Sequence, residues 1–62
     1  MRITTKQKTK LIELAARYNV DLADDLKTLV IDETTLEHIC FYPRTRENTL
    51  VIAVFPDGTT AS

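Results

Sequence analysis

The 62-residue chain contains one cysteine, one glycine and no tryptophan. A single cysteine excludes an internal disulfide, and Cys40 with His38 supplies two ligands where a structural zinc ion needs four. A lone thiol also fits a reducing compartment better than an oxidising one. We therefore expect a cytoplasmic protein without a metal ion or another cofactor.

Long hydrophobic segments are missing as well. The longest uninterrupted one, residues 50–55, falls far short of the roughly 20 apolar residues of a transmembrane helix. The start of the chain lacks the apolar segment of a signal peptide. The sequence has no glycine-rich phosphate loop, no paired cysteines and no triad pattern, and a chain with one glycine offers little concave surface. We expect no membrane association and no enzymatic activity.

The length of the chain predicts a single small domain, residues 1–62. A chain of this size buries only about 60% of its unfolded surface, so its stability depends on a small core. The hydrophobic share of 44% is ordinary for a globular protein. Because neither a disulfide nor a metal ion supports this core, self-association is the remaining way to bury more surface, and a homodimer is among our expectations.

The apolar segment 50–55 predicts the strand around which the chain is organised. Its β-branched residues and the following Pro56-Asp57-Gly58 turn indicate a strand that is buried on both faces or central in a small sheet. Residues 36–42 predict a second strand, joined to the first by a polar hairpin connection at 43–48. Alternation places Ile39 and Phe41 on one face of it. Residues 59–62 are small and polar, and we expect a frayed tail.

Residues 5–18 predict an amphipathic helix without an interrupting glycine or proline. Thr4 or Thr5 is suited to cap its start, and Asn19 to end it in a left-handed conformation. Its apolar stripe follows the spacing i, i+3, i+4 and i+7, widened by two further positions: Leu11, Leu14, Ala15 and Tyr18, with Ile12 and Ala16.

Residues 21–32 are consistent with two structures. Asp21 can cap a short helix whose leucines at 22, 26 and 29 face inward, whereas the β-branched Val30 and Ile31 favour a strand at 28–32. We favour a short helical turn followed by a short strand. A turn at residues 32–35 follows, because Asp and Thr side chains bond nearby backbone amides.

These elements predict an α+β fold, in which one N-terminal helix, with or without a second short helix, packs on a two- or three-stranded antiparallel β-meander. One main helix covers one face of such a sheet. The other face would remain uncovered in a monomer, and large exposed apolar patches usually mark interfaces.

Charge is distributed unevenly along the chain. Residues 1–20 carry five basic side chains against Glu13 alone, a net charge of +4, and residues 21–40 carry six acidic side chains against Lys27, a net charge of −5. Acidic side chains can dock into a basic surface of another protein, and basic ones can bind phosphates. The candidate protein-binding residues are Asp21, Asp24, Asp25, Arg44 and Arg46, and the candidate nucleic-acid-binding residues are Lys6, Lys8, Lys10 and Arg17.

The function that these observations favour is a small non-catalytic protein-binding or regulatory protein that acts through its open sheet face and acidic surface. Short chains without motifs are common among modulators of host proteins encoded by phages and mobile elements, and we expect this class. One alternative is a nucleic-acid-binding protein that uses the basic helix. A second is a small metal-independent ribonuclease with His38, Arg44, Arg46 and Glu47 at its site.

Overall fold

The computed structural model describes residues 1–43 and 50–62 and confirms the α+β class. Residues 44–49, which contain most of the expected hairpin connection, lie outside the described residues. The elements in chain order are β1 (Arg2–Ile3), α1 (Thr5–Tyr18), α2 (Ala23–Lys27), β2 (Val30–Ile31), β3 (Ile39–Phe41), β4 (Ile52–Val54) and β5 (Thr60–Ala61).

Helix α1 begins and ends where the sequence predicts. The Thr4 hydroxyl accepts a hydrogen bond from the backbone N–H of Gln7 at 3.0 Å, and the Gln7 side chain accepts one from the N–H of Thr4 at 2.8 Å. This reciprocal pair is a capping box, which satisfies two backbone donors at the start of the helix. Asn19 ends the helix in the left-handed region, with φ of 56°.

Strand β4 lies at the centre of a three-stranded antiparallel sheet of order β3-β4-β5. Its central position confirms one expectation, but the strand is buried on one face only: Ile52 and Val54 point into the core, whereas Val51 and Phe55 are exposed. The third strand comes from Thr60 and Ala61, in the segment that we expected to fray. Pairing with β4 orders this segment, because the ladder satisfies its backbone groups.

The segment expected to form a strand at residues 28–32 contributes Val30 and Ile31, but not to the meander. They form a parallel pair with Arg2 and Ile3, a strand that the sequence analysis did not predict. Such a pair requires a crossover connection, which α1 and α2 provide here. The second predicted strand is also shorter than expected, because only residues 39–41 join the ladder and Leu36 is 92% exposed.

The core lies between α1 and one face of the sheet. Leu11, Leu14 and Ala15 are buried as predicted, and Tyr18 packs against the core, but Ile12 and Ala16 are exposed and do not widen the stripe. The three leucines at 22, 26 and 29 are half-buried against this core, which agrees with the expected short helix. Seven residues form the buried cluster: Ile3, Leu11, Leu14, Ile39, Phe41, Ile52 and Val54.

Gln7 is fully buried and joins α1 to β4 and to the segment that precedes β3. Its side-chain N–H groups donate to the carbonyl of Glu37 at 2.8 Å and to the carbonyl of Val54 at 3.1 Å. The Thr4 hydroxyl donates to the carbonyl of Pro56 at 2.6 Å. The residues that cap the helix therefore also attach its first turn to the end of the β3–β4 ladder.

The hydrogen bond from Gln7 to Glu37 compensates for a donor that Pro56 lacks. The β3–β4 register pairs Ile39 with Val54, and its continuation places Glu37 opposite Pro56. Proline has no backbone N–H, so it cannot donate to the carbonyl of Glu37, and that carbonyl is partly withdrawn from water. The side chain of Gln7 supplies the missing hydrogen bond.

The two faces of β4 differ in their tolerance of charge. Val54→Asp places an unpaired carboxylate in the core, which costs several kcal/mol against a total stability of about 5 kcal/mol for a small domain. We expect this variant to be unfolded, and we expect Val51→Asp, on the exposed face, to melt cooperatively. Circular dichroism with thermal melting checks both. A cooperatively folded Val54→Asp variant would contradict this assignment of faces.

The role of Gln7 can be separated from simple helix capping. Gln7→Glu keeps the acceptor for the N–H of Thr4 but removes both donors and buries a charge, whereas Gln7→Leu removes the hydrogen bonds without adding a charge. We expect urea denaturation to rank stability as wild type, Gln7→Leu, then Gln7→Glu, with a loss of about 2 kcal/mol or more for Gln7→Glu. A Gln7→Glu variant as stable as the wild type would show that the contacts to the strands contribute nothing.

Candidate functional site: an open sheet face and an adjoining groove

The face of the sheet opposite α1 is exposed and carries large apolar side chains. On it, Tyr42 is 69% exposed, Val51 40% and Phe55 37%. Strand alternation places His38 and Cys40 beside them, and both are exposed. This surface, called here the open face, was predicted from the single main helix.

The open face has a shallow centre between larger side chains. Cys40, Ala53 and Ala61 lie side by side across the three strands. At one end, the rings of His38 and Phe55 pack together with centroids 5.8 Å apart. At the other end, Tyr42 follows β3. Small side chains at the centre allow a partner to approach the sheet closely, and aromatic side chains at the ends offer large contact areas.

Alternation places His38 and Cys40 on the same side of the chain, as predicted, and both are exposed. Within residues 1–43 and 50–62, no three His, Cys, Asp or Glu side chains come close enough to hold a metal ion. The ring of His38 contacts Phe55. The other members of the proposed ribonuclease set, Arg44, Arg46 and Glu47, lie outside the described residues. The two arginines are also the ones proposed for partner binding.

A groove of 470 Å³ separates α2 from β3. Cys40 and Tyr42 line it as well as belonging to the open face, so the two surfaces are continuous at β3. The other lining residues are mostly apolar, and six of them are Val20, Leu22, Leu26, Leu29, Ile39 and Phe41.

One acidic side chain lines this groove, and two more lie close to it in sequence. Asp25 lines it, and Asp24, one residue earlier in α2, has a side chain that is 99% exposed. Asp21 precedes the helix and accepts a hydrogen bond from the N–H of Ala23 at 3.0 Å. Lys27 is 3.9 Å from Asp24, but an exposed pair at that distance neutralises little of the local field. Of the three candidate aspartates, Asp25 lines the apolar groove, and Asp21 and Asp24 are exposed residues close to it in sequence.

The candidate nucleic-acid-binding residues do not form one continuous basic surface. Lys6, Lys10 and Arg17 lie along one stripe of α1, and Glu13 lies within it. The Glu13 carboxylate is 3.1 Å from Lys10 and 3.9 Å from Arg17. Lys8 is rotated by about 200° from Lys6 and lies on the other flank of the helix. Glu13 therefore neutralises part of the positive charge of the helix.

Two aspartates outside the candidate surfaces stabilise turns. Asp57 accepts hydrogen bonds from the hydroxyl of Thr59 at 2.6 Å and from its N–H at 3.0 Å, and Asp32 makes the same contacts with Thr34. The hydroxyl and then the amide of Thr59 hold the pKa of Asp57 below its ordinary value, and Thr34 does the same for Asp32. Gly58, at φ of 87°, completes the β4–β5 turn.

No family model matches the chain, and neither curated proteins nor solved structures gave a match. In the described part of the chain, neither helix has the length and apolar character needed to cross a membrane. Function therefore has to be inferred from the surfaces themselves.

The sequence predicted the exposed sheet face but not the groove. A signal for it was present: four apolar residues, Val20, Leu22, Leu26 and Leu29, surround a helix of only five residues, more than so short a helix can bury. Its position against β3 was not predictable, because it depends on the parallel pairing of β1 with β2.

The hydrogen bonds of Asp57 predict a pH dependence of stability. A carboxyl whose folded pKa is lowered stabilises the fold above its unfolded pKa, and this contribution disappears as the pH falls through the folded pKa. We expect Asp57→Ala to be less stable than wild type at about pH 7, and the difference to shrink below about pH 4. Denaturant titrations along a pH series measure this. Asp32→Ala removes the same hydrogen bonds from a separate turn and should show the same trend. A stability difference between variant and wild type that does not change with pH would contradict this role of the two carboxylates.

Proposed function

We propose that the protein is a small non-catalytic protein-binding or regulatory protein, which contacts its partner through the open face together with the acidic residues Asp21, Asp24 and Asp25 in and before α2. The observation that carries this proposal is the exposure of Tyr42, Val51 and Phe55 on one side of an otherwise ordinary sheet. Contiguous exposed apolar side chains on a small protein are typical of interfaces. A regulator of a host protein is the class that we favour.

The geometry of the open face supports a protein partner. Protein interfaces are enriched in Tyr and Phe, and depleted of charged residues at their centres. Cys40, Ala53 and Ala61 leave the centre of the open face flat and uncharged, with Tyr42 and Phe55 toward its ends. Such a surface suits another apolar surface better than a phosphate backbone.

Nucleic-acid binding has less support. Glu13 lies within the basic stripe of α1, and Lys6 contributes to lowering the pKa of Asp57, after the hydrogen bonds of Thr59. Phosphate binding depends on the number of basic side chains that are free to release counterions. We expect binding to random duplex or single strands to be no tighter than about 10⁻⁴ M at physiological salt.

The experiment compares the capture of partners by tagged variants in lysates of cells that express the protein. Phe55→Thr lies on the open face, and Ile12→Thr makes a similar change at an exposed residue of α1. We expect Phe55→Thr to reduce capture about tenfold, because it removes an aromatic side chain that would be buried in the interface. Ile12→Thr should leave capture unchanged. Sedimentation over a range of concentrations shows whether the captured protein is a second copy.

Charge reversal separates protein binding from nucleic-acid binding. Asp24→Lys with Asp25→Lys should weaken capture, and Lys6→Glu with Lys10→Glu should leave it nearly intact. Loss of capture in the lysine variant, together with micromolar binding of nucleic acid by the wild type, would overturn the proposal and make α1 the functional surface. Equal capture by Phe55→Thr and wild type would exclude the open face.

A further inference from the structure

The groove between α2 and β3 has a wall that offers backbone hydrogen bonds. The N–H of Phe55 donates to the carbonyl of Thr59 at 2.8 Å, so the polar backbone groups of Phe55 face β5. Alternation along an antiparallel strand then turns those of Ile52 and Val54 toward β3. In β3, Ile39 and Phe41 face β4 in return, and the N–H and C=O of Cys40 point to the opposite edge.

That edge of β3 has no strand partner among residues 1–43 and 50–62. Both Cys40 and its neighbours Ile39 and Phe41 line the groove, so the edge itself forms one wall. An unpaired edge beside an apolar groove is the arrangement that binds extended peptides by strand addition, in which the backbone gives affinity and a pocket selects side chains.

The side chains of the groove specify what the peptide must carry. Apolar side chains in and beside α2 and on β3 line the groove and suit a large apolar side chain: Leu22, Leu26, Leu29, Ile39 and Phe41. Asp25 is the only residue with a charged side chain among the described residues that line the groove, which Met1 also lines, and Asp21 and Asp24 lie close to Asp25 in sequence. A positive charge beside the apolar side chain would complement this rim.

We propose that the groove binds an extended segment of a partner protein that carries a large apolar side chain flanked by Lys or Arg. This inference rests on the proposed function, because it assigns to the partner a segment that reaches past the open face into the groove. A second copy of the chain fits the groove less well. Antiparallel pairing of two β3 edges brings the two acidic rims together, and like charges at an interface are unfavourable.

The experiment uses a random dodecamer peptide library displayed on phage and selected on the purified protein. We expect enriched sequences to combine an apolar residue with a neighbouring Lys or Arg. Synthetic peptides of the enriched sequences are then titrated into ¹⁵N-labelled protein, and the amide signals of Leu26, Leu29 and Cys40 should shift. Replacing the apolar residue of the peptide with alanine should weaken binding about tenfold.

Two charge reversals test the contribution of the rim. Asp25→Lys should weaken peptide binding about tenfold, because it places a positive charge beside the incoming Lys or Arg. Glu37→Lys makes the same change in charge at an exposed residue that does not line the groove, and it should leave binding within about twofold. The amide spectrum of each variant shows whether it is folded.

The outcomes distinguish this inference from the proposed function. Failure to enrich any sequence, enrichment without basic residues, or equal binding by Asp25→Lys overturns the groove inference. Peptides that shift only Val51 and Phe55 also overturn it, while they leave the open face as a binding surface. If peptides bind the groove but Phe55→Thr captures partners as well as wild type, the groove inference stands and the proposed role of the open face fails.

Discussion

The fold depends on the hydrogen bonds that the buried side chain of Gln7 makes at the end of the β3–β4 ladder. Pro56 ends that ladder because it has no N–H, and Gln7 supplies the donor to Glu37 that proline cannot. The same side chain accepts from the N–H of Thr4 and so forms half of the capping box. One amide thereby sets where α1 begins and which end of the sheet it is attached to. Its full burial makes any substitution without both donors and acceptor costly.

The attachment of α1 at that end of the sheet determines which surfaces remain exposed. From Gln7, α1 runs along one face of the sheet, and Leu11 and Leu14 complete the core there. No second long helix is present in the described residues to cover the opposite face. Helix α2 has five residues, too few to close the space between itself and β3. The open face and the groove therefore have a common cause, which is that one helix of 14 residues has to cover three strands.

Local signals in the sequence predicted the local structure well. The spacing of Leu11, Leu14 and Ala15 predicted the buried side of α1, and its capping residues predicted its bounds. Both signals are local, because helix periodicity and capping act within a few residues. Alternation likewise predicted the faces of β3. The expectations that failed depend on contacts between distant residues. No local sequence pattern predicts the pairing of Arg2 with Val30 or of Ala53 with Ala61, because these residues are distant in the chain. Strands β1 and β5 were therefore not predicted. The capping box of Thr4 and Gln7 has a sequence pattern, but its contacts with Glu37 and Val54 do not.

The distribution of charge explains how two apolar surfaces with a shared edge can act differently. Among its described residues the open face carries no carboxylate, lysine or arginine, so it offers contact area to many apolar partners and discriminates weakly between them. The groove offers less area, but Asp25 at its rim penalises an acidic or neutral segment relative to a basic one. The basic side chains of α1 do not neutralise the negative charge at this rim, because Lys10 and Arg17 are near Glu13 on their own helix. In the proposed complex, affinity would come mainly from the open face and selectivity from the groove.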